Sequence, residues 1–493
     1  MQITMNNVLL LVIAILLFCN TSNWAQENKI LTKKQYSGTV LSNEQETFLN
    51  SHKEALKAFE MPASCGVIEV PVKVHIVRGG GETVSIEQVQ AAFDQLNQFF
   101  IHIYVQFVAL GDYNYINEPE LYDFDKSQEN SLCSKNDVDQ VINLYLVGSI
   151  SDGPLKFCGY TYYPADLERN TDRIILDQAC LDDGVSLARQ MGHYFTLFPT
   201  AGPKVSETME FVDGSNCEEE GDLICDTPAD PGLSYETVDE RCGYIGRKKD
   251  QSGRKRFYKP DTHNIMSENP RIYCINHFTE GQYHRMRYAV VNLRNYLDFP
   301  KRRYNKRQLK TLAEEKGLKG EVVVYMAGQT LNTVRQENVF IDQGGPYAQG
   351  TAYNIAIVND QKAYVYVLEG DSERGIYLQF PQEGDRAFFK GEESAAFTVP
   401  KGQNRLHVDE LKGTNGVNHI VVLFSKKQLR IEALIDKMNN IEEPLDALQR
   451  IFSVLGTELI PTTYLTYDKA GSRVQGIATD QQIMPIIIEY KQQ

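Results

Sequence analysis

Positive charge is what this sequence is shortest of. Its 50 Lys and Arg stand against 65 Asp and Glu, a formal net charge of -15 at pH 7. That balance excludes a general nucleic-acid binder and favours a freely solvated chain. After Phe18 no apolar run of membrane length occurs, which leaves no second candidate span. No C-x-x-C pair occurs, so a zinc knuckle is a poor reading of the nine cysteines. Internal repeats and low-complexity tracts are absent as well, which excludes a solenoid.

What is present begins with an apolar stretch, Val8 to Phe18, too short to span a bilayer comfortably. Ala25 offers a small residue for cleavage, so residues 1–25 read as a secretory signal peptide, although Met1 to Asn7 carries no Lys or Arg. Cys19 follows Leu-Leu-Phe, a poor context for lipid attachment. The expected location is secreted, periplasmic or cell surface, with no integral membrane span after signal removal. Without Cys19, eight cysteines remain at 65, 133, 158, 180, 217, 225, 242 and 274. An even count in an exported chain suggests a disulfide framework whose pairing stays open. Cys217, Cys225, Cys242 and Cys274 are the candidates in the loop-rich half.

The 493 residues suffice for two or three domains. Asn43 to Glu60 has helical apolar spacing at Phe48, Leu49, Leu56 and Phe59, within an N-terminal helical segment spanning 26–64. Val67 to Val77 alternates Val70, Val72, Val74 and Ile76 on one face and reads as a strand. Ser85 is placed to cap a helix whose apolar face carries Ile86, Val89, Phe93, Leu96 and Phe100. Ile103–Leu110, Val141–Val147, Gly159–Tyr163 and Arg173–Leu176 read as further strands. Lys301 to Leu318 reads as a basic helical linker (301–319), and a second basic cluster runs from Arg247 to Lys259. A solvated face is the ordinary reading of such charge, a polyanion-binding surface the sharper one.

At the centre stands Ser186-Leu-Ala-Arg-Gln-Met-Gly-His-Tyr-Phe-Thr-Leu-Phe-Pro-Thr200. It has the frame of H-E-x-x-H-x-x-G-x-x-H, in which three histidines hold zinc and the glutamate activates water. Two downstream segments carry the resemblance further. Gly214 to Asp230, with Cys217, Cys225 and Asp226-Thr-Pro-Ala-Asp230, resembles the cysteine loop of pappalysin-type metzincins. Asn264-Ile-Met-Ser267, Cys274 and Phe278 to Met286 resemble their Met-turn, at Met266, and closing helix. The resemblance spans roughly Cys65 to Leu297 and implies a metzincin-like catalytic-domain fold over 65–300: a mixed sheet, an active-site helix and a Met-turn. Cys65-Gly66 resembles the cysteine switch of some zymogens of that family, though a disulfide partner is the plainer reading.

On that frame Arg189 stands for the first histidine, Gln190 for the glutamate, Thr196 for the glycine and Pro199 for the third histidine, while His193 is retained. Arg189 has no lone pair to offer a metal, Gln190 accepts no proton at neutral pH, and Pro199 has no side-chain donor. No catalytic residue and no catalytic zinc is therefore expected. The alternative is an active or rearranged-site zinc metallopeptidase in which His263 joins His193 and an acid. Thr196, β-branched where the family has glycine, predicts a helix that runs on until Pro199 stops it. Arg189 is expected to replace the metal with a side-chain cation and to pair with Glu268, which stands where the family usually has tyrosine, or with another cleft acid. Structural calcium, which family members carry, is an expectation for the loop of Asp213, Asp222 and Asp226.

From Gly320 the composition turns to short strands at Glu321–Met326, Val339–Asp342, Tyr353–Val358, Ala363–Leu368, Ile376–Phe380 and His419–Ser425. They suggest a sandwich-like β-rich domain over 320–493 that resembles an uncharacterised bacterial β-domain. Two amphipathic helices follow, the second starting at Pro444, then a last strand at Ile486–Tyr490. The fold class is thus α+β. The functional expectation is an exported pseudo-metalloprotease that binds a peptide or protein in its cleft or on the C-terminal domain, with no nucleic-acid partner.

Overall fold

The computed structural model describes residues 35–61, 66–80, 83–165, 172–203, 208–297, 317–359, 361–371, 375–390, 395–400, 409–411, 415–462, 465–467, 473–476 and 482–493. The expectations for the signal peptide, Cys19, Cys65 and nearly all of the basic linker lie outside these residues. No described helix is long and apolar enough to cross a membrane.

The first half is a mixed sheet with helices against it. Its strands are β1 (Gln35–Ser37), β2 (Ile68–Val77), β3 (Val105–Ala109), β4 (Asn114–Ile116), β5 (Asp123–Asp125), β6 (Ile142–Val147), β7 (Ser149–Asp152), β8 (Leu155–Thr161) and β9 (Arg173–Asp177). Their order is β3-β2-β6-β9-β8-β7-β5, with β4 added to β2 and β1 to β8. β2, β3, β6 and β9 run parallel, and β8 turns antiparallel against β9. Val70, Val72, Val74 and Ile76 are fully buried, as their alternation requires. Each contributes about 2 kcal/mol through burial.

Helices α1 (Asn43–Ser51) and α2 (Lys53–Ala58) lie between β1 and β2 in the chain, and α3 (Ile86–Phe100) packs on the sheet. The Ser85 hydroxyl accepts from the Gln88 amide while the Gln88 side chain accepts from the Ser85 amide, closing a capping box. Val89, Phe93, Leu96 and Phe100 point inward, but Ile86 is 57% exposed, because the first helical turn overhangs the sheet. A short helix α4 (Glu129–Cys133), the central helix α5 (Ser186–Tyr194) and α6 (Glu280–Tyr288) complete this half. α5 lies within the core that the sheet forms with α3 and α6.

The second half stacks two seven-stranded sheets. Leu318–Met326 is central to one, between Ala352–Asn359 and Arg473–Gly476. Gly416–Ser425 is central to the other, between Lys362–Asp371 and Ile483–Gln492. Val322, Val324, Ile355, Ile357, Val365, Val367, Ile420, Val422, Ile486 and Ile488 fill the space between them. Because the first of these strands begins at Leu318, the linker expected to reach residue 319 ends earlier. α7 (Ile431–Asn439) and α8 (Ala447–Leu455) cover the outer face of the second sheet. α8 starts at the Asp446 cap and not at Pro444, since the Asp446 carboxylate accepts from the Gln449 amide at 2.8 Å.

The halves meet along β2 and the end of α3. Asn338 accepts from the Val67 amide at 3.1 Å, and Glu69 accepts from the Thr462 amide at 2.7 Å. Gln449 donates to the Ile101 carbonyl at 3.1 Å, and Tyr104 donates to Asp446 at 2.5 Å. Val67 and Ile101 belong to the apolar core beneath α7 and α8.

Candidate functional site

The site is built on α5. Asp183 opens the helix by accepting from the Val185 and Ser186 amides and from the Ser186 hydroxyl, which satisfies donors a helix start leaves without partners. All nine residues of the helix are buried, including Arg189, Gln190 and His193. A helix buried on all sides has no solvated face for polar side chains, so each must find its partner inside the protein.

The helix does not run on to Pro199. It ends at Tyr194, and Thr196 turns into the left-handed region with φ of 76°. The Leu197 amide then reaches back to the Gly192 carbonyl at 2.8 Å. Propensity argued for continuation, but Tyr194, Phe195 and Leu197 are all fully buried, and packing three large side chains outweighs the strain at one residue. Pro199 sits in the following turn, with its carbonyl accepting from the Gly202 amide at 2.7 Å.

Met266 lies beneath the helix. A Cβ on Gly192 would stand 2.7 Å from its sulfur, so a larger residue immediately before His193 would have to push the Met266 side chain aside. The His193 ring is held by Nδ1, which lies 2.9 Å from the Leu197 carbonyl and 3.1 Å from the Tyr163 hydroxyl. Burial pushes its pKa down to about 3, with the Arg189 charge adding to the effect, so the ring stays neutral.

Gln190 is the residue the rest of the site closes on. Its Oε1 accepts from the Ser37 and Thr39 hydroxyls, each at 3.3 Å. Those hydroxyls come from β1 and the residues just after it, and β1 pairs parallel with β8 through Gln35 opposite Phe157 and Ser37 opposite Gly159. The Gly38 amide extends the pairing to the Gly159 carbonyl, and the Thr39 hydroxyl accepts from the Thr161 amide. The chain's own N-terminal strand therefore lies along β8, with two hydroxyls on the Gln190 amide. Sequence reasoning missed β1, whose three residues carry no periodicity.

Arg189 acts on Glu268 through space. Burial raises the Glu268 carboxyl pKa and the Arg189 cation opposes that rise. A direct Arg189–Glu268 contact is not among the ion pairs of the described residues. A buried ion pair lies close to the end of α5, Arg294–Asp172 at 2.7 Å. Arg294 also donates to the Tyr194 and Tyr162 carbonyls and stacks 3.5 Å above the Tyr194 ring. Tyr194 and Tyr296 donate to the same Asp172 oxygen at 2.6 and 2.7 Å. Nothing in the sequence marks Arg294, which follows the π-helical turn Ala289–Leu293 that continues from α6.

His263 is half exposed, 4.0 Å from Asp261, which takes its closer contact from His277 at 2.8 Å. Among the described residues one group of three metal-ligating side chains converges, Cys158, Cys180 and Asp183, and its two cysteines form a disulfide. His193 and His263 meet at no common point with an acid among those residues. Cys217 pairs with Cys225 and Cys242 with Cys274. Cys133 is buried and free, its thiol pushed by burial up to about 12.

The three loop acids do not gather. Asp213 pairs with Arg256 at 3.7 Å, and Asp226 accepts from the Thr279 hydroxyl and the Gly281 amide at the start of α6. Asp222 is buried and faces Glu210, a residue that nothing in the sequence singles out. Asp222 Oδ2 and Glu210 Oε2 are buried oxygens with no hydrogen-bond partner. Burial raises the Glu210 pKa to about 8, reinforced by the charges of Asp222, Asp230 and Glu220. Burial likewise raises Asp222 to about 7 and Asp230 to about 6. Hard, partnerless carboxylate oxygens that repel one another fit a divalent cation bound through oxygen.

No family model and no curated protein matches the sequence. Among solved structures the chain is similar in part to a promirolysin mutant from Tannerella forsythia, at 18% identity and a TM-score of 0.39, over 53% of this chain and 96% of that one.

Proposed function

We propose that the chain is an exported pseudo-metalloprotease, a pappalysin-like metzincin scaffold that acts by binding and not by hydrolysis. The observation that carries this reading is the state of Gln190. It stands where a zinc protease needs a carboxylate to take a proton from water, and its amide oxygen already accepts two hydroxyls from the chain's own N-terminal strand. A zinc hydrolase needs enough ligands, an open position for water and a base together. Here the first ligand position holds a guanidinium, which has no lone pair. The one retained histidine, with Nδ1 engaged by Leu197 and Tyr163, leaves Nε2 as the single imidazole donor at these positions, and one ligand does not hold zinc. In place of a metal, Arg189 supplies fixed positive charge to the same interior, where it bears on Glu268 and His193.

Binding then falls to surfaces that β1 does not cover, or to a peptide that displaces β1 from β8. Glu210 and Asp222 are the residues that would hold a structural calcium ion, which would neutralise their mutual repulsion.

The test is metal analysis of the purified mature protein beside cleavage of a mixed peptide library. The expected result is less than stoichiometric zinc and no cleavage, with Gln190→Glu restoring neither. A native peptidase activity abolished by a zinc chelator would overturn the proposal.

A further inference from the structure

The chain is acidic overall, yet Arg247 to Lys259 concentrates positive charge on a folded two-stranded ribbon. Lys249 pairs antiparallel with Phe257. The Asp250 amide donates to the Arg256 carbonyl and the Tyr258 amide to the Lys248 carbonyl, which fixes the register on either side. Strand alternation then divides the ribbon. Asp250 and Tyr258 turn inward and are buried, Asp250 accepting from the Ser252 hydroxyl and the Arg256 and Val212 amides. The outer face presents Arg247, Lys249, Phe257 and Lys259, and Arg254 and Lys255 occupy the tip.

Arg247, Lys248, Lys249, Arg254, Lys255 and Lys259 are all exposed. Among the described residues Arg256 is the member of this cluster that forms an ion pair, with Asp213. The inward Asp250 is engaged by the turn itself, so it forms no ion pair with the cations of the outer face. The exposed acids close by are Asp213, which faces Arg256 and Arg254 at the tip, and Glu236 and Glu240, on the turn to which Ile245 is bonded through Thr237.

We infer that the outer face of this ribbon is a docking strip for a linear acidic polysaccharide. Cations on alternate residues of one strand stand about 7 Å apart, and directly opposed residues about 5 Å apart. On the outer face Arg247 and Lys249 share one strand, with Lys259 opposite Arg247 and Phe257 opposite Lys249, a narrow strip of three cations suited to carboxylates or sulfates on one unbranched chain. A membrane fits less well: the exposed apolar side chains near the cations are Ile245 and Phe257, and the Phe257 ring carries the Lys249 ammonium 4.5 Å from its centre, far less than the continuous apolar face an inserting surface presents. A nucleic-acid strand fits less well, because one ring already covered by a lysine offers no succession of stacking platforms.

The test uses the mature full chain with polygalacturonate and dextran sulfate as probes and neutral dextran as the blank. Binding to at least one acidic polymer is expected, weakening steeply as salt rises because exposed charges are screened. The triple variant Arg247→Glu, Lys249→Glu, Lys259→Glu should lose affinity at least tenfold. A triple Gln version, which changes charge less, should lose an intermediate amount with an unchanged melting temperature. Lys156→Glu with Lys362→Glu and Lys135→Glu gives the same change in net charge away from the ribbon and should bind nearly as the parent does. Equal losses in the two Glu triples would overturn the inference, as would no binding to either acidic polymer. Binding confined to oligodeoxythymidylate, or to vesicles containing phosphatidylglycerol, would overturn it equally and assign the ribbon to that partner.

Discussion

Thr196 allows the turn after the central helix to be tested by a reversal of sign. Alanine is ordinarily the better residue at a buried position, because glycine loses more backbone freedom on folding, worth about 0.5–1 kcal/mol. At φ of 76° the order should invert. A side chain with a Cβ pays about 1–2 kcal/mol to enter the left-handed region, and glycine does not. Relief of that strain, less the entropy term, leaves Thr196→Gly more stable than Thr196→Ala by about 0.5–1 kcal/mol. Ala188 supplies the internal reference: it is equally buried but helical, and there Ala188→Gly should cost about 1 kcal/mol. Urea unfolding midpoints for the three variants, with slopes checked for constancy, measure the differences. If Thr196→Ala proves the more stable of the pair, the residue is helical. The helix then continues to Pro199, and a left-handed turn at Thr196 is refuted.

Breaking the Arg294–Asp172 pair should cost about 3–5 kcal/mol in Arg294→Ala, since a buried carboxylate loses its cation; thermal melting reads this directly. Arg189→Ala should cost about 3 kcal/mol if its charge substitutes for the metal, and a loss below about 1 kcal/mol would remove it from that role. Glu210, Asp222 and Asp230 have folded pKa values of about 8, 7 and 6, above their ordinary range. Their favourable contribution is therefore complete below about pH 4 and is lost as pH rises through 6 to 8, so stability should fall across that window. Calcium should raise the melting temperature markedly at pH 8 and hardly at pH 5, and Glu210→Gln should diminish both effects; a pH-independent calcium response would count against this site.

Much of the architecture was legible because it rests on periodic burial. Alternation in Val67–Val77 and in the strands after Gly320 located them to within a few residues, since one face of each had to be apolar. The capping residue Ser85 was legible for a local reason, a hydroxyl three residues from a glutamine. What stayed hidden depends on partners far along the chain. β1 exists because β8, more than a hundred residues later, has an edge to pair with. Thr196 misleads because its own preference opposes the turn, and the packing of its neighbours decides. Glu210 looks like any surface acid until Asp222 is folded against it, and Asp213 and Asp226, neighbours of Asp222 in sequence, serve an ion pair and a helix cap instead. Arg189, Gln190 and His193 could be named from the frame of one helix, but the strand that closes on Gln190 could not.

The placement of Val67 and Ile101 bears on how the protein comes apart. These two side chains grow from the sheet-and-helix half yet are sealed, at 1% and 2% exposure, within the apolar layer beneath the last two helices. A cut in the linker would thus divide the chain without dividing that layer. The two fragments would remain stuck to each other, and either one alone would carry a raw apolar wound that invites aggregation. Heating the intact chain should accordingly melt both halves in a single cooperative step, so that damage to either is felt by the whole.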